Sequence, residues 1–245
     1  MDILTAKDVC KSFNGNMAVD HASLNVEKGK ITGLIGANGA GKTTLFNCLS
    51  GYYPAASGKI IFDGREIQGM SAQKRCKLGI ARTFQIAKPF GCLSVIDNVA
   101  VGGYNKAKDK AEAYKNARES LEFVHLDHKA EELAFRLNTG EQRQLELARA
   151  LSTKPTLLLL DEVMAGLTPT ESEEMIKLIF KVRDSGITVL LIEHIMPAVM
   201  KLSDKIYVLD RGKIICEGEP KTVVNDPRVI ESYLGKAGAA YAKNN

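Results

Sequence analysis

The sequence predicts an α/β fold: a core of buried parallel strands, a strand-rich first third and a helical insertion in the middle. Three observations carry that expectation. Two short, continuous apolar runs, 157–160 and 187–192, suit strands buried on both faces of a parallel sheet. A glycine-rich loop separates another apolar run, 31–35, from a helix-like segment at 43–49. Between these landmarks, 106–129 is rich in Lys, Ala and Glu, with Tyr114, Ala117, Leu121 and Val124 at helical spacing.

The remaining elements follow from local chemistry. Residues 60–67 suggest a hairpin turning at Asp63-Gly64, because glycine tolerates the positive φ such turns require. A helix is expected from Asn138 or Thr139, where Thr139-Gly-Glu-Gln142 fits a capping box. It should end before Pro155, which disfavours helix in the residue ahead of it. A further helix at about 170–185 joins the two late apolar runs as a βαβ crossover. The expected organisation is a core with an antiparallel β subdomain at about 1–87 and 151–235, a helical subdomain at about 88–150, and a loose tail at 236–245.

Composition narrows the function classes. A chain of 245 residues holds one large domain or a core with a subdomain attached. Apolar content of 45% and charged content of 25% are ordinary for a globular protein. The net charge of +4 is too mild for a dedicated nucleic-acid binder, and the scattered tyrosines offer no stacking platform. Five widely spaced cysteines form no CxxC pair and are expected as buried thiols in a reducing compartment. The first residues contain no apolar h-region, so no secretory signal is expected. Neither late apolar run reaches the roughly 20 residues needed to span a bilayer. His21, His125 and His128 lack metal spacing. Lys74, Arg75 and Lys77 suggest a solvated basic face, with lipid headgroups as the alternative contact.

Gly36-Ala37-Asn38-Gly39-Ala40-Gly41-Lys42-Thr43 satisfies GxxxxGK[ST] in full, after a strand and before a helix. A triphosphate needs many donors at close range, and glycines let backbone N–H groups curl around it. The positive end of the following helix adds attraction. Lys42 is expected to reach the β- and γ-phosphates and the Thr43 hydroxyl to bind Mg²⁺. Such a match arises by chance about once in a hundred chains of this length. A second element, Leu157-Leu-Leu-Leu-Asp161-Glu162, places two acids at the tip of a buried strand, beside the nucleotide crevice of an open α/β sheet. Asp161 would hold Mg²⁺, and Glu162 would polarise the attacking water.

The order of these motifs resembles the ABC ATPase family over nearly the whole chain. Leu137-Asn138-Thr139-Gly140-Glu141-Gln142-Arg143, followed by Leu-Glu-Leu-Ala-Arg-Ala-Leu151, is similar to the family signature and its helix. Arg82-Thr-Phe-Gln85 is similar to the Q-loop, and Leu191-Ile-Glu-His194 to the switch histidine. Phe13 stands where the family stacks an aromatic ring on adenine. The resemblance implies a P-loop NTPase core whose ATP contacts run from Gly36 through Thr44. Metal contacts would come from Thr43, Gln85 and Asp161, and catalysis from Glu162, His194 and Gln85. It also implies a second ATPase subunit whose signature residues, equivalent to Asn138, Thr139, Gly140 and Glu141, cap the γ-phosphate in trans. Transmembrane permease subunits and a substrate-binding protein complete such a system, with the ATPase subunit peripheral on the cytoplasmic face of the inner membrane.

Departures and subgroup features refine the expectation. Asn138 and Thr139 replace the signature Ser and first Gly, Val163 replaces the Pro after Asp-Glu, and Thr168 stands where the D-loop carries Asp. Residues 165–169, 192–196, 207–212 and above all 225–235 resemble the "G" type ATPase of branched-chain (hydrophobic) amino-acid importers. Urea, amide and aromatic-acid systems share much of this pattern, and an envelope-lipid exporter shares the fold. A soluble ABC protein of translation or DNA repair would carry two ATPase modules or a long coiled-coil insertion. A GTPase would need Asp where Asn105-Lys-Ala-Lys108 has Lys.

Overall fold

In the computed structural model, residues 1–85 and 88–231 are described, and the tail expected at 236–245 lies outside them. Strands β1 (Asp2–Phe13), β2 (Asn16–Glu27) and β3 (Ile31–Ile35) precede helix α1 (Lys42–Ser50). There follow β4 (Ser57–Phe62), β5 (Arg65–Glu66), α2 (Ala72–Leu78), β6 (Ile80–Arg82), α3 (Val95–Gly103), α4 (Lys110–Phe123) and α5 (Thr139–Leu151). The chain continues through β7 (Leu157–Asp161), α6 (Pro169–Asp184), β8 (Thr188–Ile192), α7 (Met196–Leu202), β9 (Lys205–Asp210), β10 (Lys213–Gly218) and α8 (Pro220–Val224). Two compact units result, one from Met1–Ala72 with Thr188–Asn245 and one from Gln73–Ile187.

In the first unit, β2-β1-β4-β5 form an antiparallel sheet. Its hairpins turn at Asn14-Gly15 (φ 49° and 84°) and at the expected Asp63-Gly64 (φ 48° and 76°). Two consecutive positive φ values match the turn to the strand twist, which is why glycine sits second in both. The unit's other strands place β3 between β8 and β9, parallel to both, with β10 antiparallel to β9. All five residues of β3 and of β8 are buried, as their unbroken apolar runs require. Ile35, Val199, Ile206, Val208, Val223 and Val229 form one apolar cluster that fastens α7 and the C-terminal segment onto this sheet.

In the second unit, β6 and β7 pair in parallel and α3, α4 and α5 pack beside one another. Ser94, Asp109 and Thr168 cap α3, α4 and α6, each accepting a backbone N–H with its side chain. The Asp109 cap starts α4 at Lys110, four residues later than the composition of the segment suggested. Of the four residues at helical spacing, Ala117, Leu121 and Val124 are buried and Tyr114 is half-buried.

Three local expectations are corrected. The capping box of α5 uses Asn138 and Glu141 rather than Thr139 and Gln142. Asn138 is extended, so its Oδ1 accepts the Glu141 N–H at 2.9 Å while Glu141 Oε2 accepts the Asn138 N–H at 2.9 Å. Asn also outranks Thr as a cap. Arg75 is not on a solvated face; its side chain is fully buried. Cys92 is exposed and Cys76 partly so, whereas Cys10, Cys48 and Cys216 are buried thiols as expected.

Candidate functional site

The phosphate loop follows directly from β3. Gly36 (φ 153°) and Gly41 (φ 105°) are indispensable, because a Cβ would fall 2.1 Å from Leu209 O at the first and 2.2 Å from Ala18 O at the second. The Ala40 N–H donates to Ala37 O at 3.1 Å, and the Gly212 N–H donates to Ala40 O at 2.8 Å, pinning the loop to the β9–β10 turn. Lys42 opens α1 and is 7% exposed; its Nζ donates to Gly36 O at 2.7 Å and Ala37 O at 3.0 Å. The ammonium is thereby curled over the loop. Asn38, Gly39 and Thr43 are exposed, while Ala37 and Thr44 are half-buried. Gly41 caps α1 without a side-chain bond, so the first N–H groups keep their capacity to bind an anion.

Two further expected residues belong to the same unit. Phe13 ends β1 with its ring 41% exposed, edge-on to Tyr53 at 5.3 Å and 74°, with Lys11 Nζ 5.2 Å from its centroid. His194 is exposed directly after β8, next to the buried Glu193.

The two acids lie at the end of β7 in the second unit. Asp161 is 1% exposed, and its Oδ2 lies 3.3 Å from Arg82 Nη2. Its N–H donates to Thr83 Oγ1 at 3.1 Å, and the Thr83 N–H donates to Leu159 O at 2.9 Å, so β6 fixes the tip of β7. Arg82 also lies over the Phe84 ring, 4.4 Å from its centroid. Glu162 adopts a left-handed conformation (φ 49°), which costs about 1–2 kcal/mol for a residue with a Cβ. The turn aims its carboxylate at Gln85, whose Nε2 donates to Glu162 Oε2 at 2.7 Å. Two of the three residues expected to be catalytic, Gln85 and Glu162, are therefore in direct contact.

The N-terminus of α5 presents Asn138 and Thr139, both exposed. Asn138 Oδ1 is occupied in capping, which leaves its amide group able to donate outward. Glu141 is held from two sides, by the Asn138 N–H and by Lys129 Nζ at 2.6 Å. Burial raises the Glu141 carboxyl, but these two partners outweigh it and keep it below its usual range. A Cβ on Gly140 would come 2.5 Å from Glu171 Oε1, so a bulkier residue there would have to displace that carboxylate. Thr168, at the departed D-loop position, completes a capping box with Glu171, a task Thr and Asp side chains share.

Sequence reasoning missed the residues that tie these loops together. Glu146 Oε1 accepts the Phe84 N–H at 2.6 Å, beside Gln85. Arg143 donates to Phe84 O at 3.4 Å and to Ala165 O at 3.3 Å, and lies 3.6 Å from Glu146 Oε2. Both are buried on α5, and burial raises the Glu146 carboxyl above its ordinary range. Two charges three residues apart on the apolar face of a helix were the available signal. Arg82, the counter-cation of Asp161, was legible only as a motif letter.

A strand, a glycine loop and a helix N-terminus in an α/β unit define a phosphate-loop nucleotide-binding protein. The profile of the ABC transporter family matches residues 19–165, and that of the branched-chain amino acid ATP-binding cassette transporters matches 213–239. The chain is 37% identical to the probable branched-chain amino acid transport ATP-binding protein LivG of Archaeoglobus fulgidus, over 96% of each chain. It is 39% identical to the high-affinity protein BraF of Pseudomonas aeruginosa and 38% to LivG of Escherichia coli K12, over 96% of this chain and 98% of each relative. Its fold matches a nucleotide-free ATP-binding cassette from an ABC transporter with a TM-score of 0.88 at 32% identity, covering 96% of this chain and 100% of that one. The ADP conformation of an ABC transporter cassette matches with a TM-score of 0.87 at 32% identity, with the same coverage. The chain belongs to the ABC transporter family, as one of its ATP-binding, ATP-hydrolysing subunits. Among the described residues no helix is long and apolar enough to cross a membrane.

Proposed function

We propose that this subunit powers an importer of branched-chain or other hydrophobic amino acids. The observation that carries this reading is the coincidence of two matches: the branched-chain profile at 213–239, and relatives of that name over 96% of the chain. In this reading 1–87 with 151–235 forms the nucleotide-binding core and 88–150 the helical subdomain that meets the membrane subunits. The protein works peripherally on the cytoplasmic face, with transmembrane permeases, a substrate-binding protein and a second ATPase subunit.

The roles follow from the side chains. Phe13 stacks on adenine, and the loop from Gly36 to Thr44 binds the phosphates, with Lys42 swinging from its own carbonyls to the β- and γ-oxygens. Thr43, Gln85 and Asp161 each offer an oxygen donor (hydroxyl, amide and carboxylate) of the kind a hard cation prefers, and would hold Mg²⁺. When bound, that ion neutralises charge on the phosphate oxygens. Glu162, kept in place by Gln85, orients and polarises water, and His194 stabilises the γ-phosphate and its developing charge. The exposed Asn138 and Thr139, with Gly140 and Glu141, present a helix N-terminus to ATP held by the partner subunit.

The test is uptake of labelled leucine, isoleucine and valine by cells lacking this gene. They are complemented with the intact protein or Glu162→Gln, with urea and benzoate as comparison solutes. Loss of leucine-type uptake, restored only by the intact protein, is expected. Unchanged amino-acid uptake with loss of urea or benzoate uptake would overturn the solute class and leave the ATPase standing.

A further inference from the structure

In the hairpin of β1 and β2, Val9 pairs with Ala22 and Lys11 with Val19. One residue, Cys10, therefore faces two, Asp20 and His21: a β-bulge. In regular strands consecutive side chains point to opposite faces of the sheet. Here His21 takes a left-handed backbone conformation (φ 52°), and the alternation breaks. Bulges commonly re-aim a side chain. This one gathers Cys10 Sγ, an Asp20 carboxylate oxygen and a His21 ring nitrogen within 4.8 Å of one another.

The surroundings favour a bound cation over a passive kink. The His21 N–H, which a regular ladder would give to a carbonyl, donates to Cys10 Sγ at 3.3 Å. Such a bond stabilises negative charge on sulfur. Asp20 Oδ1 lies 2.7 Å from His21 Nδ1, while Lys213 Nζ holds the other oxygen, Oδ2, at 3.1 Å. One oxygen is thus oriented by an outer partner and the other turned toward the imidazole and the sulfur. Asp20 and His21 also line an open groove of about 910 Å³, which gives these two donors access to solvent, while Cys10 is buried.

We propose that Cys10, Asp20 and His21 form a site for a borderline-soft divalent cation of the Zn²⁺ class. Thiolate, imidazole and carboxylate are the donors such ions take, in tetrahedral geometry, with water as a fourth ligand. Donors around such an ion stand about 3.5 Å apart, so binding requires the 2.7 Å contact between His21 Nδ1 and Asp20 Oδ1 to widen, which a rotation of the exposed His21 ring allows. On binding, Cys10 releases its thiol proton to solvent and gives up its contact with Asp8 O. His21 Nδ1, which donates to Asp20 Oδ1 in the free protein, gives up that proton as it becomes a ligand, and the neutral imidazole carries its one proton on Nε2. The thiolate and Asp20 carboxylate balance the ion's two charges, and Lys213 remains as the outer-shell partner. The histidine's role was invisible in sequence because the three ligands come together only across the hairpin.

The full-length protein, reduced and stripped of metal, is titrated with Co²⁺ alone and followed by its thiolate-to-cobalt charge-transfer absorption. One equivalent is expected to bind and to be displaced by Zn²⁺. Cys10→Ser should abolish the band, and His21→Ala should weaken binding by at least about a hundredfold, the upper end of what losing an outer-shell partner costs. Cys92→Ser should leave the titration unchanged. Absence of the band in the intact protein, or a His21→Ala titration superimposable on it, would overturn the proposal. His21 is exposed, so that variant keeps the test decisive even if the buried Cys10 proves necessary for folding.

Discussion

At the scale of single residues, the phosphate loop separates glycines needed for space from those needed only for conformation. Gly41→Ala sets a Cβ 2.2 Å from a backbone oxygen at φ 105°, and should cost about 2–4 kcal/mol in a urea unfolding measurement. Gly39→Ala, at φ 81° with nothing within 4 Å, should cost only the left-handed strain, about 1 kcal/mol. Lys42→Ala leaves the loop's backbone in place and removes its buried ammonium. ATP affinity should fall at least tenfold by calorimetric titration, and unchanged affinity would mean that the loop does not serve the triphosphate. The loop was fully legible in sequence, since its spacing is set by local backbone geometry. The Arg82–Asp161 pair was not, because its members stand far apart in the chain and meet only when β6 pairs with β7.

At the scale of elements, α5 connects the loop before Gln85 to the loop after Glu162 through Glu146 and Arg143. Burial holds the Glu146 carboxyl above its ordinary value of 4.5. The folded protein therefore keeps a proton that the unfolded chain releases at lower pH. The stability linked to this group is fully present below the unfolded value and is lost as pH rises through the raised one. Glu146→Gln keeps the acceptor for the Phe84 N–H but cannot ionise, so the decline of Tm with pH above about 4.5 should flatten. An unaltered profile would show that Glu146 is not the group responsible. Helix α6 offers a simpler test. Thr168→Ala should cost about 1 kcal/mol and Thr168→Asp little, since either Thr or Asp can cap. The cap of α5 was misplaced by one residue in sequence because Asn138 and Thr139 are both competent, and only the extended conformation of Asn138 decides between them.

At the scale of the whole molecule, the proposed capping in trans predicts that turnover needs a second subunit, and the exposed Asn138 and Thr139 at the N-terminus of α5 are free to meet one. Glu162→Gln should bind ATP, lose hydrolysis and accumulate as a dimer. Light scattering after gel filtration with ATP and Mg²⁺ should report twice the subunit mass. Normal phosphate release would remove Glu162 from its role, whereas a monomer under those conditions would mean that the second ATPase subunit is a different chain.

The sequence by itself determined the class of fold and the phosphate chemistry. Unbroken apolar runs demand buried strands, and the glycine-loop spacing answers to the backbone alone. It also held, in order, the segments that resemble the signature, Q-loop and switch motifs, since each is local. Only the tertiary structure decided which side chains meet: Gln85 with Glu162, Glu146 with the Phe84 backbone, and Cys10 with Asp20 and His21. It also decided that Arg75 is buried rather than solvated. These outcomes depend on strand register and helix packing, which sum weak interactions over residues distant in the chain. No local pattern carries that information.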